Sequence, residues 1–139
     1  MSLSYFTRKH KGFIALLFFL IIIVLGNFVL RPYVSQRNAF KVIQSVLEYW
    51  EKGDMASPIE IWLTPEKYPA FDNISSFEIV GSDFKQVNNI DYALFLVNLE
   101  FPRPSGLPSW KNWTFELKRT KYGWRVMRFY LSAKHPAKK

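Results

Sequence analysis

The sequence predicts a transmembrane helix followed by a small α+β domain, in which helices pack on one face of a curved, four-stranded antiparallel sheet. Three observations predict this: an uncharged apolar run over residues 13–30, apolar residues at helical spacing over 40–50, and a switch to period-two alternation from residue 75 onward. A chain of 139 residues has room for one ordinary domain, which excludes a multidomain enzyme. It contains no cysteine, so disulfide frameworks, thiolate-ligated zinc, iron–sulfur clusters and thiol catalysis are excluded too.

Residues 13–30 read FIALLFFLIIIVLGNFVL, with fifteen of the eighteen positions Leu, Ile, Phe or Val. As a helix this run spans roughly 27 Å, close to the hydrocarbon thickness of a bilayer. Each of those side chains contributes about −0.3 to −0.6 kcal/mol to insertion, and one Asn near the end does not reverse the sum. Phe13, Leu20, Leu25 and Leu30 mark the span from end to end, and Arg31-Pro32 marks its exit. A cleaved signal peptide would show a shorter apolar stretch and a small-residue cleavage site. Here Asn27-Phe28-Val29 and Pro32-Tyr33-Val34 follow instead, and the span reads as an uncleaved anchor. Arg8, Lys9 and Lys11 before it are matched by Arg31, Arg37 and Lys41 after it. A short basic tail, here residues 1–12, tends to stay in the cytoplasm while a long following domain translocates regardless of charge. The expected orientation is N-terminus inside, domain on the opposite side.

Residues 31–37 read as a short connector, 38–132 as the domain and 133–139 as a basic tail. Phe40, Ile43, Val46, Leu47 and Trp50 form one stripe of an amphipathic helix ending at Lys52-Gly53. Ser57-Pro58-Ile59-Glu60 supplies an N-cap, a proline at the first helical position and a capping-box glutamate for a short second helix. Thr64-Pro65-Glu66 starts another turn that runs to about Ala70. Ser76–Phe84 and Ile90–Phe101 are strands around the turn Val87-Asn88-Asn89. Ala93, Phe95, Val97, Leu99 and Phe101 share one face of the second, whose first half is apolar on both faces and is therefore central. After a proline-rich loop, Trp110–Arg119 alternates with Trp113, Phe115 and Leu117 inward and Asn112, Thr114, Glu116 and Lys118 outward. Lys121-Tyr122-Gly123 turns the chain into the last strand, Trp124–Leu131.

A long helix ending in Lys52-Gly53-Asp54, a short helix entering Leu63-Thr64-Pro65-Glu66, and a hairpin from Trp113-Thr114-Phe115-Glu116-Leu117 to Gly123-Trp124-Arg125-Val126 resemble the nuclear transport factor 2-like superfamily over residues 34–132. The resemblance implies a cone, a bent sheet wrapped over a long helix, with a pocket that some members use for catalysis and others only for binding or scaffolding. Membrane-anchored members include the inner-membrane scaffold of type IV secretion systems. Fold analogy alone does not give function.

Catalytic members place an acid or base inside the cone, and few such groups fall at core-facing positions here. His10 and His135 lie in the tails. Asp91 and Tyr92, at the start of the central strand, are the remaining pocket candidates, with Asp54 and Glu60 behind them. Simpler roles compete: a turn residue for Asp54, a capping partner for Glu60, a surface strand start for Asp91. No metal-ligand spacing and no phosphate loop is present, so neither a metal nor a cofactor is expected. The charge distribution is more informative. Residues 31–102 hold six basic and ten acidic side chains, whereas 103–139 hold ten basic and one acidic. Lys111, Lys118, Arg119, Lys121, Arg125 and Arg128, interleaved with aromatics, suit an anionic partner: membrane lipid or another subunit of a membrane complex. Nucleic acid is disfavoured for a domain outside the cytoplasm. The sequence thus points to a membrane-anchored accessory or interaction module without enzymatic activity. The alternative is a membrane-tethered small-molecule binder or enzyme using the pocket of the cone.

Protein extracted from membranes should retain residues 13–30 by intact-mass measurement. A mature N-terminus beyond Leu30 would show that the run is a cleaved leader.

Overall fold

The computed structural model describes residues 3–103, 106–108 and 111–132. Trp110, His135 and the tail 133–139 lie outside the described residues. The chain forms two compact units, one ending at Arg37 and the other beginning at Asn38.

In the first unit α1 (Leu3–Leu25) runs into a π-helical turn, Gly26–Leu30, and α2 (Arg31–Glu51) begins at the next residue. Apart from Gly26, which is half-buried, residues 13–30 are exposed, Phe13 and Leu30 at about 60% and Leu20 and Leu25 at 50% or more. The helix is long and apolar enough to cross a membrane by length and composition. Asn27 Nδ2 donates to the Ile23 carbonyl at 3.1 Å, which satisfies one amide hydrogen within the helix. Residues 31–37, expected as a short connector, are helical. Pro32 removes one backbone donor and crowds the preceding turn, and the wider π turn just before it accommodates that ring. Residues 3–12, read as a tail, are likewise helical.

In the second unit, α2 buries Ala39, Ile43, Val46, Leu47 and Trp50 completely, while Phe40, at the margin of the stripe, is exposed on one side and meets the Phe95 ring edge-on at 6.2 Å. The helix ends in a Schellman turn. Asp54 N–H donates to Tyr49 O at 2.9 Å, Gly53 N–H donates to Trp50 O at 3.1 Å, and Gly53 has φ +78° as that turn requires. Two 3₁₀ turns follow, Ser57–Ile61 and Pro65–Lys67, so the third helical element stops well short of Ala70. The capping box is also corrected. Ser57 donates its backbone N–H and its hydroxyl to the Asp54 carboxylate, which leaves no side-chain cap for Glu60 to complement.

Strands β1 (Ser76–Val87), β2 (Ile90–Glu100), β3 (Lys111–Thr120) and β4 (Gly123–Leu131) form an antiparallel sheet in the order β1-β2-β3-β4. Asn88 and Asn89 have φ 51° and 63°, so the first hairpin closes on a two-residue type I′ turn. β1 is bulged between Ile79 and Gly81, and the β3–β4 register shifts at Glu116/Leu117. Such irregularities bend strands and increase their twist. Ala93, Phe95, Val97, Leu99, Phe115, Leu117, Trp124 and Val126 point inward and are buried. Thr114 stands on the outer face as expected, opposite Leu96 and Tyr130, yet is buried at 3% exposure, with its hydroxyl 2.6 Å from that of Ser132. The β4 edge is covered where Leu63 N–H donates to Val126 O at 2.8 Å.

Trp50 joins these layers. Its ring lies 4.8–6.3 Å from those of Trp62, Tyr68, Phe71, Phe115 and Phe129, and its Nε1–H donates to Tyr68 Oη at 2.8 Å. Burial pushes the Tyr68 phenol above its ordinary value, opposed by that hydrogen bond and aided by the charge of Asp54.

Phe95→Ala should cost about 3–5 kcal/mol as a large-to-small core change; unchanged thermal unfolding would show that the β2 face is misassigned. Tyr68→Phe strips the acceptor from a buried indole and should cost about 1–3 kcal/mol, whereas exposed Tyr122→Phe should stay within about 0.5 kcal/mol. The raised phenol favours the neutral form in the fold. Its contribution is therefore present below the ordinary tyrosine value and is lost as pH rises through the folded one. Chemical denaturation between pH 8 and 11.5 should show a smaller alkaline loss in Tyr68→Phe than in wild type.

Candidate functional site

The interior of the sheet–helix layer is filled by rings. Phe71 meets Phe101 edge-on at 5.2 Å, Trp113 stacks on Phe129 at 4.9 Å, and Phe115 lies 4.6 Å from Phe129. Three buried polar atoms, Trp62 Nε1, Trp113 Nε1 and Asn98 Oδ1, have no hydrogen-bond partner among the described residues. Trp62, Trp113 and Asn98 line neither of two surface depressions. One, of about 430 Å³, lies between the loops at Phe71–Asn73 and Phe101–Arg103. The other, of about 230 Å³, lies on the outer face of the sheet among Asp83, Lys85, Tyr92, Leu94, Glu116 and Arg128. Among the described residues no group of three His, Asp or Glu comes together to hold a metal ion.

The strand register builds the outer face. Lys85 stands opposite Tyr92, Tyr92 opposite Lys118, and Lys118 opposite Arg125, which sets three cations and one phenol in a row across all four strands. Directly opposed like charges destabilise a sheet, and Lys118 and Arg125 are such a pair. Neither takes part in an ion pair among the described residues; Arg125 Nη1 makes a long contact of 3.4 Å to the Trp124 carbonyl. The next row is Asp83, Leu94, Glu116 and Arg128. It is internally neutralised: Arg128 binds the Glu116 carboxylate, which also accepts from Tyr130 Oη at 2.9 Å. Burial and the Glu116 carboxylate together raise the Tyr130 phenol, against the opposing charge of Arg128.

The fold therefore divides the cations grouped by the sequence. Lys118 and Arg125 share the outer row. Arg128 is held by Glu116, and its guanidinium lies 5.9 Å from the Tyr130 ring. Arg119 pairs with Asp91 at 3.3 Å at the turn end of the sheet. Lys121 sits in the β3–β4 turn, 4.8 Å from the Tyr122 ring centroid, and Lys111 opens β3 at the opposite end. The two pocket candidates also part. Asp91 is at the sheet margin, bonded to Gln86 and Arg119, and Tyr92 lies on the outer face, so neither enters the interior. Asp54 is a turn residue whose carboxyl is held below its ordinary value, first by the Ser57 hydroxyl and then by the Ser57 backbone N–H. Glu60 is exposed in the 3₁₀ turn.

Sequence reasoning missed Lys85. Its signal was the parity of β1: with Phe84 inward, the next residue faces out, and extending the strand three residues to Val87 brings Lys85 into line with Tyr92. No family model, no curated protein and no solved structure matches this chain.

Proposed function

We propose that the chain is a single-pass membrane-anchored interaction module whose outer sheet face docks an acidic surface of another membrane-complex subunit. The observation that carries this reading is the juxtaposition of Lys118 and Arg125 in adjacent strands, beside the Tyr92 position and outside any ion pair among the described residues. A carboxylate-bearing partner removes the repulsion between them, so the charge cost within the free domain becomes affinity in the complex. The long apolar helix supports anchoring, and the acid-free basic N-terminal stretch supports a cytoplasmic N-terminus with the domain on the other side. Membership of the nuclear transport factor 2-like superfamily, with its cone, belongs to the same proposal. It is supported by the order of one long helix, two short helical turns and a four-strand meander.

The reading as a small-molecule binder or enzyme rests on a different feature, the outer-face groove at Tyr92, whose walls carry both charges over an apolar floor of Leu94 and Met127. Binding by the cationic row and binding in the groove separate by mutation.

Lys118→Gln with Arg125→Gln should weaken co-purification of partners from detergent-solubilised native membranes by about 2- to 30-fold, since exposed charge pairs contribute about 0.2–1 kcal/mol each. Raising salt should reduce wild-type capture and affect the double variant less. Unchanged capture by the double variant, together with loss of a ligand signal in Tyr92→Ala, would favour the groove. Wild-type capture replaced by binding to anionic vesicles would make lipid the partner.

A further inference from the structure

We infer that two copies of this chain pair through their β1 edges, in an antiparallel register centred on Phe84, to make one continuous eight-stranded sheet. β1 pairs with β2 along one side, and no strand among the described residues occupies its other side. The stretch free of irregularity is Gly81–Val87, bounded by the bulge at Val80 and by the Asn88-Asn89 turn. Phe84 is its midpoint.

Backbone direction selects the same centre. The two-residue turn makes Val87 and Ile90 a hydrogen-bonded pair, so Lys85 and Asp83 also bond toward β2. The amide and carbonyl groups of Gln86, Phe84 and Ser82 then point outward from the edge. A two-fold ladder must be centred so that outward-pointing residues meet one another. With Phe84 opposite its copy, Ser82 meets Gln86 of the second copy on both sides of the axis, and all three outward-pointing residues of this stretch are matched.

Side chains then select among registers. Sliding the centre to Asp83 or Lys85 would set two aspartates or two lysines face to face, which destabilises a sheet. The register on Phe84 instead sets Asp83 opposite Lys85 of the second copy, twice, at non-hydrogen-bonded positions where side chains approach closest. Both residues are exposed, and neither is in an ion pair among the described residues. The half-buried Phe84 rings meet on the inner face, next to Phe95 at 5.8 Å. The bulge and the turn stop the ladder at both ends, which closes the assembly at two copies and answers the aggregation hazard of a free edge. Lys118 and Arg125, two strands or more away, stay free for another partner.

The chain has no native cysteine, so engineered ones report position directly. Full-length Asp83→Cys and Lys85→Cys variants, carrying tags of different mass, are co-expressed and oxidised in membranes. Opposed non-hydrogen-bonded residues have Cα atoms about 4.5 Å apart, within disulfide reach. Two copies of the same variant would place their cysteines about 8 Å apart along the ladder, beyond it. The expected result is a mixed disulfide dimer at least about 10-fold more abundant than either same-variant dimer. No mixed disulfide, or equal amounts of all three, overturns the register. As an independent check, Asp83→Lys should weaken dimerisation of the detergent-solubilised chain by on the order of 10-fold, and adding Lys85→Asp should restore it. A double variant no better than the single one overturns the proposed pairing.

Discussion

Trp50 ties α2 to both 3₁₀-turn segments, to the loop before β1 and to strands β3 and β4. It is fully buried near the end of α2, and five rings converge on its indole. Its backbone carbonyl accepts Gly53 N–H, which ends the helix, and Ile74 N–H, which leads the chain into β1. Its Nε1–H reaches Tyr68. One residue thus fixes the helix end, the path of the connecting segment and the filling of the space under the sheet. Aromatic side chains of this size bury about 150–250 Å² each, and edge-to-face contacts add to that burial.

A core filled with rings moves the chemistry outward. The polar groups that remain available on β2, β3 and β4 stand on the outer face, where the register puts Lys118 and Arg125 opposite one another and sets the neutralised Glu116–Arg128 pair in the adjacent row. Arg119 and Arg128 show how the same sheet treats a cation when a carboxylate is in reach: each is paired. Lys118 and Arg125 form no ion pair among the described residues, and this contrast, more than overall basicity, supports the proposed docking role. The edge strand obeys a related logic, since its bulge limits how much backbone a second chain can use.

Much of this fold was legible in the sequence because periodicity reports burial. The apolar run at 13–30, the α2 stripe and the alternation through Phe95, Val97 and Leu99 each recur as observed elements. What was not legible depended on partners distant in sequence or on local competition. Pro32 read as a helix exit because the π turn that accommodates it has no sequence signature of its own. Ser57 read as a cap, but the Asp54 carboxylate three residues earlier takes its hydroxyl. Thr114 read as outward by parity and is so placed, but its burial beside the Ser132 hydroxyl was not legible. The charge cluster was visible as composition, but only the strand register separates the paired arginines from Lys118 and Arg125. Lys85, distant in sequence from the cluster, joins them through Tyr92 alone.

Hydrogen exchange on the full chain in lipid nanodiscs tests most directly whether a closed core organised by Trp50 holds the domain together. Amides of Val46–Trp50, Phe95–Val97 and Phe115–Leu117 should exchange slowly and at a common rate, as one cooperative unit opening only on global unfolding. Exchange at Phe115–Leu117 as fast as at the Asn88-Asn89 turn would mean that water reaches the inner face, and would contradict a ring-filled interior.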